Sequence, residues 1–336
     1  FSPTWLKQYK EGTPGCKLGR GSYTWRPCGF GSNINSMLNT WAHLLAVEDW
    51  SEISLICDDT QFQSLNCSSE SGGLVSQGWG CLFRSIPHMC VFDTAQAWTN
   101  HMISANVSDE DQHHTTTDLT FFGIRYSGAD IVNSLQGLRV DRLGASAVLA
   151  KYLWSYMTPW LRKDVHFVTH AEKAFQGSPF LGLHVRRGDK LRAEANAIAV
   201  EEYLKTAANY FEDEYMLTGV NVIKAIWVAS DDPDVVDEVR TLAPAYFPNV
   251  PSEAIVYVAF GMAGGPATRG VDTTTRTQGY GSFVYILADL EQLAAAELFV
   301  GTFTSNVGRF VVLLREGLGK PRYSSISMDA SSWYPG

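Results

Sequence analysis

From residue 180 to residue 316 short apolar runs alternate with longer amphipathic stretches, and this alternation limits the folds open to the chain more than any other feature. Phe180–Val185, Val222–Ala229, Ile255–Ala259 and Leu298–Gly301 have the length of buried strands and are apolar but for His184 and Lys224. Helical spacing follows each of them, over about Val200–Met216, Asp234–Leu242, Phe283–Ala295 and Ser305–Glu316, with a Gly/Thr-rich loop (261–282) ahead of the third helix. Strands this rich in apolar residues, each separated from the next by a helix, predict a parallel sheet wound with right-handed crossovers. The second half of the chain, 177–336, therefore reads as a Rossmann-like domain, with the boundary near 174–179.

The first half, 1–176, reads as a separate α/β domain of less regular pattern. Residues 1–27 carry no periodicity and are expected to be irregular. Cys28-Gly-Phe-Gly-Ser-Asn33 leads into Ile34–Val47, where Met37, Leu38, Trp41, Leu44 and Leu45 share one helical face and Ser32 or Asn33 would cap the start. A strand is expected at Ile53–Cys57 and another at Asp118–Tyr126, with polar loops at 58–77 and 107–118 and a helix over Ala145–Leu161.

The six cysteines, Cys16, Cys28, Cys57, Cys67, Cys81 and Cys90, all lie in the first ninety residues. An even number confined to one region implies disulfides and an oxidising compartment, and without a Cys-x-x-Cys pair a zinc site is disfavoured. The sequons at Asn66 and Asn106 agree with a secretory route. A formal charge of −9 excludes a large basic surface for nucleic acid but leaves room for a local arginine cluster that holds a small anion. No apolar run approaches the ~18–20 residues that cross a bilayer.

The candidate chemistry collects at the strand ends. His184-Val-Arg186 closes the first strand, and Arg186, Arg187, Asp189, Lys190, Arg192 and Glu194 follow within nine residues. Two adjacent arginines suit a diphosphate, because planar guanidinium forks hold phosphate oxygens through paired bonds and keep their charge. After the second strand comes Ser230-Asp-Asp-Pro-Asp234. Asp232 and Asp234 have the spacing of a metal pair, but Asp232 as N-cap with Pro233 as first helical residue is the simpler account, and Asp231 has no capping duty. Thr302-Phe-Thr-Ser-Asn306 opens the last helix, where hydroxyls and free N–H groups suit a phosphate; capping by Thr304 or Ser305 would explain the same residues. Asp289 is a carboxylate in an apolar helical stretch and needs a partner there. The glycine pair Gly29 and Gly31 precedes a helix and can cradle an anion or form a plain turn.

His184-Val-Arg-Arg-Gly-Asp-Lys190, followed by Glu194, Glu201, Glu202 and Tyr203, resembles the donor-site segment of the α1,6-fucosyltransferases that core-fucosylate N-glycans, with bacterial chitooligosaccharide fucosyltransferases as more distant kin. Trp79-Gly-Cys-Leu-Phe-Arg84, Pro159-Trp-Leu161 and Thr302-Phe-Thr-Ser-Asn-Val307 have counterparts in the same family, and the likeness is strongest over 145–236 and 285–310. Gly188 stands where the animal enzymes usually have threonine.

The resemblance implies a two-lobed, glycosyltransferase-B-like architecture and transfer of fucose from GDP-fucose with inversion and without a metal. It implies Glu194 as the base on the acceptor, Lys190 orienting it, and Arg186 stabilising the departing GDP. Donor contacts are implied for His184, Arg186, Arg187, Asp189, Tyr203, Asp231, Asp232, Asp289 (on guanine), Ser305 (on the diphosphate), Gly29 and Gly31. It hints at a Cys16–Cys90 disulfide. The implied acceptor is O6 of the innermost GlcNAc of an N-glycan, and the implied setting is the Golgi lumen, as the catalytic part of a type II membrane protein whose anchor precedes Phe1. The helical stem and SH3-like domain of the animal enzymes have no counterpart in this sequence. Rival readings are a fucosyltransferase for another glycan or a protein hydroxyl, a non-catalytic sugar-nucleotide or glycan-binding protein, and an adhesion module using Arg187-Gly-Asp189.

Overall fold

The computed structural model describes residues 21–24, 33–35, 37, 38, 41, 53–56, 81–83, 89–92, 142–170, 178–187, 198–218, 223–257 and 280–329. The chain divides into two compact units, one of 1–28 and 33–158, the other of 29–32 and 159–336.

In the first unit β1 (Gly21–Thr24), β2 (Ile53–Ile56) and β3 (Met89–Phe92) form a parallel sheet in the order β1-β2-β3. Gly21 stands opposite Ile53 and Ile53 opposite Met89. The strand at Ile53 falls where the apolar run placed it. β1 does not, since 1–27 was expected to be irregular; four residues are too few to carry a readable alternation. Residues 33–35, 37, 38 and 41 are helical, and Ile34, Met37, Leu38 and Trp41 are buried, as their spacing required. Cys81 is disulfide-bonded. The strand expected at Asp118–Tyr126, the two polar loops and the Cys16–Cys90 pairing lie outside the described residues.

The single helix expected over Ala145–Leu161 is two: α1 (Arg142–Ser155) and α2 (Pro159–His170). Proline lacks an N–H and pushes its predecessor out of helical dihedrals, so Pro159 starts a helix more readily than it continues one. Thr158, just before it, donates its N–H to Leu82 O at 2.9 Å and its hydroxyl to Cys81 O at 3.0 Å. The break is thereby satisfied by the chain at 81–82. Trp41 meets Tyr152 of α1 edge-on at 6.1 Å. α2 groups with the second unit, where Tyr280 donates to Asp164 at 2.8 Å.

The second unit follows the expected alternation: β4 (Phe180–Val185), α3 (Val200–Thr218), β5 (Ala225–Ser230), α4 (Asp234–Tyr246), β6 (Ile255–Tyr257), α5 (Tyr280–Ala295), β7 (Leu298–Gly301), α6 (Asn306–Gly317) and β8 (Ser325–Ser327). The five strands are parallel in the order β6-β5-β4-β7-β8. β4, β5 and β7 are buried along their whole length, which is why they read as apolar runs, with His184 and Ser230 as their polar residues near the carboxyl ends. α4 runs past Leu242 and through Pro244, whose side chain is exposed; the helix loses one bond there and ends with Phe247 N–H on Ala243 O at 2.7 Å. β8 was not foreseen, being three half-buried residues, two of them serines.

This order places the site. From β4 the chain winds outward through β5 and β6, then returns to lay β7 and β8 on β4's other side. Crossovers thus leave β4 and β7 in opposite directions, and a crevice opens beyond their carboxyl ends. The residues at that edge are His184 in register with Gly301, followed by Arg186 on one strand and Thr302 on the other. Among the described residues no helix is long and apolar enough to cross a membrane.

Candidate active site

The ends of β4 and β5 are stitched together. Ser230 donates its hydroxyl to Val185 O at 2.7 Å and accepts the Asp232 N–H at 3.1 Å. Asp231, one residue on, accepts the Arg187 backbone N–H at 2.8 Å on one oxygen and pairs with the Arg186 guanidinium at 2.7 Å on the other. Both side chains are largely buried, with the Asp231 side chain only 4% exposed. Charge-assisted bonds in such a setting fix geometry as well as energy. Asp231 is therefore the clasp that aims Arg186.

Arg187 turns the other way. Its guanidinium forks onto Glu238 of α4, at 2.5 and 2.7 Å, and comes within 4.0 Å of Asp232. The fork with Glu238 raises the Arg187 pKa and lowers that of Glu238. Asp232 accepts the Asp234 N–H at 3.1 Å, as a capping side chain would, but α4 begins at Asp234 and it is Pro233, helical at φ −63°, that stands at the cap position.

His184 is buried, and its Nδ1 has no hydrogen-bond partner among the described residues. Burial, with Arg186 close by, pushes its pKa down to about 3 despite Asp329, so the ring is neutral. Thr302 is also buried with its Oγ1 unpartnered among the described residues. Gly308 in the first turn of α6 lies against both: a Cβ there would stand 2.2 Å from Thr302 O and 3.6 Å from His184 Nδ1. Only glycine lets the helix start this close to the strand end.

Ser305 is the N-cap of α6 and is buried, yet its side chain makes no capping bond. Thr304 gives its hydroxyl to Asp329 instead. Tyr203 of α3 is buried, and burial, with the nearby Asp329, pushes its pKa up against the opposing pull of Arg187.

The structure thus brings together His184, Arg186, Arg187, Asp231 and Asp232 with the Thr302–Ser305 turn, and Tyr203 beside them. It does not bring Asp289 there. Asp289, on α5, is buried and accepts the indole N–H of Trp227 at 2.9 Å, against the middle of β5 rather than its end. Burial raises its pKa to about 8, with the Trp227 bond pulling the other way. Asp189, Lys190, Glu194, Gly29 and Gly31 lie outside the described residues. Among those described, no group of three His, Cys, Asp or Glu side chains could hold a metal ion.

Two contributors were not singled out in the sequence. Glu238 is one half-buried carboxylate among several acidic residues on α4, and its partner lies 51 residues away. Asp329 follows a strand too short to detect, and its partners are 25 and 26 residues upstream.

Residues 146–320 match the family model described as "Alpha-(1,6)-fucosyltransferase N- and catalytic domains". An alpha-(1,6)-fucosyltransferase of Drosophila melanogaster is 35% identical over 138 residues, 39% of this chain and 19% of the relative. One of Caenorhabditis elegans is 31% identical over 141 residues, 42% of this chain and 23% of the relative. The aligned stretch thus spans about a fifth of the length of these relatives. NodZ alpha-1,6-fucosyltransferase, in a crystal soaked with GDP-fucose, superposes with a TM-score of 0.44 at 14% identity, covering 88% of this chain and 91% of NodZ. That likeness is too remote to carry weight.

Proposed function

The chain belongs to the alpha-(1,6)-fucosyltransferase family, and on that premise we propose that it transfers fucose from GDP-fucose to a glycan hydroxyl. The observation that carries this reading is the pair of buried, unpartnered polar atoms, His184 Nδ1 and Thr302 Oγ1, on either side of the β4–β7 crevice. Buried polar groups are satisfied in a working protein, so a ligand with polar atoms is expected between them. A diphosphate fits. Arg186 supplies fixed charge, the first turn of α6 supplies the positive end of a helix, and the unengaged Ser305 side chain lies at its cap.

Departure of GDP builds negative charge on the β-phosphate, and a preorganised arginine stabilises that charge without reorganising. We assign this to Arg186, held by Asp231, and propose that the transfer needs no divalent cation. The neutral His184 ring can donate to a phosphate oxygen or accept from a ribose hydroxyl without adding charge. Glu194 is proposed as the general base that takes the proton of the attacking hydroxyl, with Lys190 orienting it and Asp189 on the donor. Attack from the face opposite GDP inverts the anomeric centre and turns the β-linked donor into an α-fucoside. Guanine recognition by Asp289 requires it to exchange its Trp227 contact for the two donors of the base edge. Gly29 and Gly31 are proposed to border the donor.

The proposed acceptor is O6 of the innermost GlcNAc of an N-glycan, and the proposed setting is the lumen of the secretory pathway. Incubation of the protein with GDP-fucose and a panel of N-glycan, chitobiose and unrelated acceptors, with products sequenced by mass spectrometry, tests this. An α1,6-fucosylated chitobiose core supports it. Transfer only to other acceptors removes the N-glycan assignment, and GDP uptake with no transfer to any acceptor supports a binding protein instead.

A further inference from the structure

Asp329 lies beyond the stretch matched by the family model, yet its carboxylate is tied into the turn between β7 and α6. It accepts the Phe303 N–H at 2.7 Å, both oxygens stand 3.4 Å from the Thr304 N–H, and the Thr304 hydroxyl and the Ser327 hydroxyl (3.1 Å) complete the set. The fold delivers it there. β8 pairs with β7 so that Ser327 faces Gly301, and Met328 N–H donates to Gly301 O at 2.8 Å, which leaves Asp329 beside the turn. Its charge is also felt by His184 and Tyr203. One carboxylate from an edge strand therefore reaches three parts of the candidate site.

We propose that Asp329 is a positioning residue for donor binding, fixing the 302–305 turn so that Ser305 and the first turn of α6 meet the diphosphate; this rests on the donor reading above. The turn is short and begins at a strand end, and without Asp329 its N–H groups at 303 and 304 would lose the carboxylate that orients them. With Asp329 in place those two donors are taken. The diphosphate is then directed to Ser305 and the helix start rather than to the turn itself. The bonds are charge-assisted, and orientation held this way is lost when the charge is removed.

The test uses the full chain, isothermal calorimetry with GDP, and thermal melting, on wild type, Asp329→Ala and Asp329→Asn. Asparagine keeps one acceptor for Phe303 N–H and serves if the alanine variant does not fold. Expected are a GDP Kd raised about tenfold or more in Asp329→Ala and by a smaller factor in Asp329→Asn, measured well below either melting midpoint. A lowered melting midpoint with Kd unchanged in the folded variants makes Asp329 merely structural and overturns the proposal. Tighter GDP binding also overturns it, because the carboxylate would then be competing with phosphate for the turn. No GDP uptake by the wild-type chain overturns the donor reading and this proposal together, whereas uptake by wild type with unaltered Kd in both variants overturns this one alone.

Discussion

Asp231 holds Arg186 in a 2.7 Å ion pair while its other oxygen takes the backbone N–H of Arg187 at 2.8 Å. One carboxylate at the end of β5 thus fixes two consecutive residues at the end of β4. Asp231→Ala removes the 2.7 Å ion pair that aims the largely buried Arg186 guanidinium and the acceptor of the Arg187 backbone N–H. Expected is a fall in kcat/KM for GDP-fucose of about 100-fold, from lost preorganisation and not from lost contact with substrate. Asp231→Asn can still accept the Arg187 N–H and should lose less. Steady-state kinetics on both variants, with circular dichroism to show that they are folded, checks the order. Equal losses in both would mean that the ion pair, not the backbone clasp, matters alone.

The two arginines should part company on mutation. Arg187 already forks onto Glu238 at 2.5 and 2.7 Å, so its guanidinium is not available to a ligand without breaking that pair. Glu238→Gln and Arg187→Gln are expected to change GDP affinity by only about two- to fivefold, while Arg186→Gln costs about 100-fold, the scale of a lost charge-assisted phosphate contact. Because Arg187 holds the Glu238 pKa down, whatever stability the fork adds is present above the ordinary carboxylate pKa and disappears as pH falls through the lowered one. Calorimetry on the three variants decides it; equal losses at 186 and 187 would show that the fork opens on binding.

Much of this architecture was legible because the sheet is parallel and covered on both faces. Phe180–Val185 and Leu298–Gly301 read as strands to the residue, since among their buried residues only His184 is polar. The strand order was not legible, and neither was the crevice, since both depend on which strands become neighbours. Arg186, Arg187, Asp231 and Ser305 were visible as strand-end groups. Their division of labour was not, because Arg187 meets Glu238 and Arg186 meets Asp231 only after β4 and β5 align. Asp289 shows the opposite limit: its need for a partner was plain, but a tryptophan 62 residues away could not be read as that partner.

Arg315 offers a stability test away from the crevice. It is buried in α6, and its guanidinium donates to the carbonyls of Leu293, Ala294, Ala296, Glu297 and Ser324, closing the end of α5. Burial pushes its pKa down to about 10, with Glu297 opposing, so the charge persists at neutral pH. Arg315→Met fills part of the volume but leaves those carbonyls bare. Expected is a loss of about 3–5 kcal/mol in urea unfolding, with GDP affinity of the folded fraction unchanged. A loss below about 1 kcal/mol would mean that water replaces the guanidinium at no great cost.

Two buried groups should leave opposite marks on the pH dependence of stability. Burial raises Asp289 to about 8, from an ordinary value near 4, so the folded chain binds the extra proton across that window. Its contribution is complete below about pH 4 and is lost as pH rises toward about 8. His184 is lowered to about 3 from about 6.5, so its contribution is complete above about pH 6.5 and is lost as pH falls toward 3. Between about pH 4 and 6.5 the two slopes oppose; from about 6.5 to 8 only Asp289 acts, and stability should decline. Asp289→Asn keeps an acceptor for the Trp227 indole and removes the titration. Its unfolding free energy, taken relative to wild type, should therefore rise with pH by up to about 1.4 kcal/mol per unit, levelling off near pH 8. The same raised pKa bears on guanine recognition, because a carboxylate that accepts two donors must be ionised. GDP binding to wild type should then release a proton below about pH 8, seen as a calorimetric enthalpy that varies with buffer, and Asp289→Asn should abolish that variation. A difference curve flat from pH 4 to 8 would show that Asp289 stays ionised where it is buried on α5, with Trp227 supplying more compensation than its single bond implies.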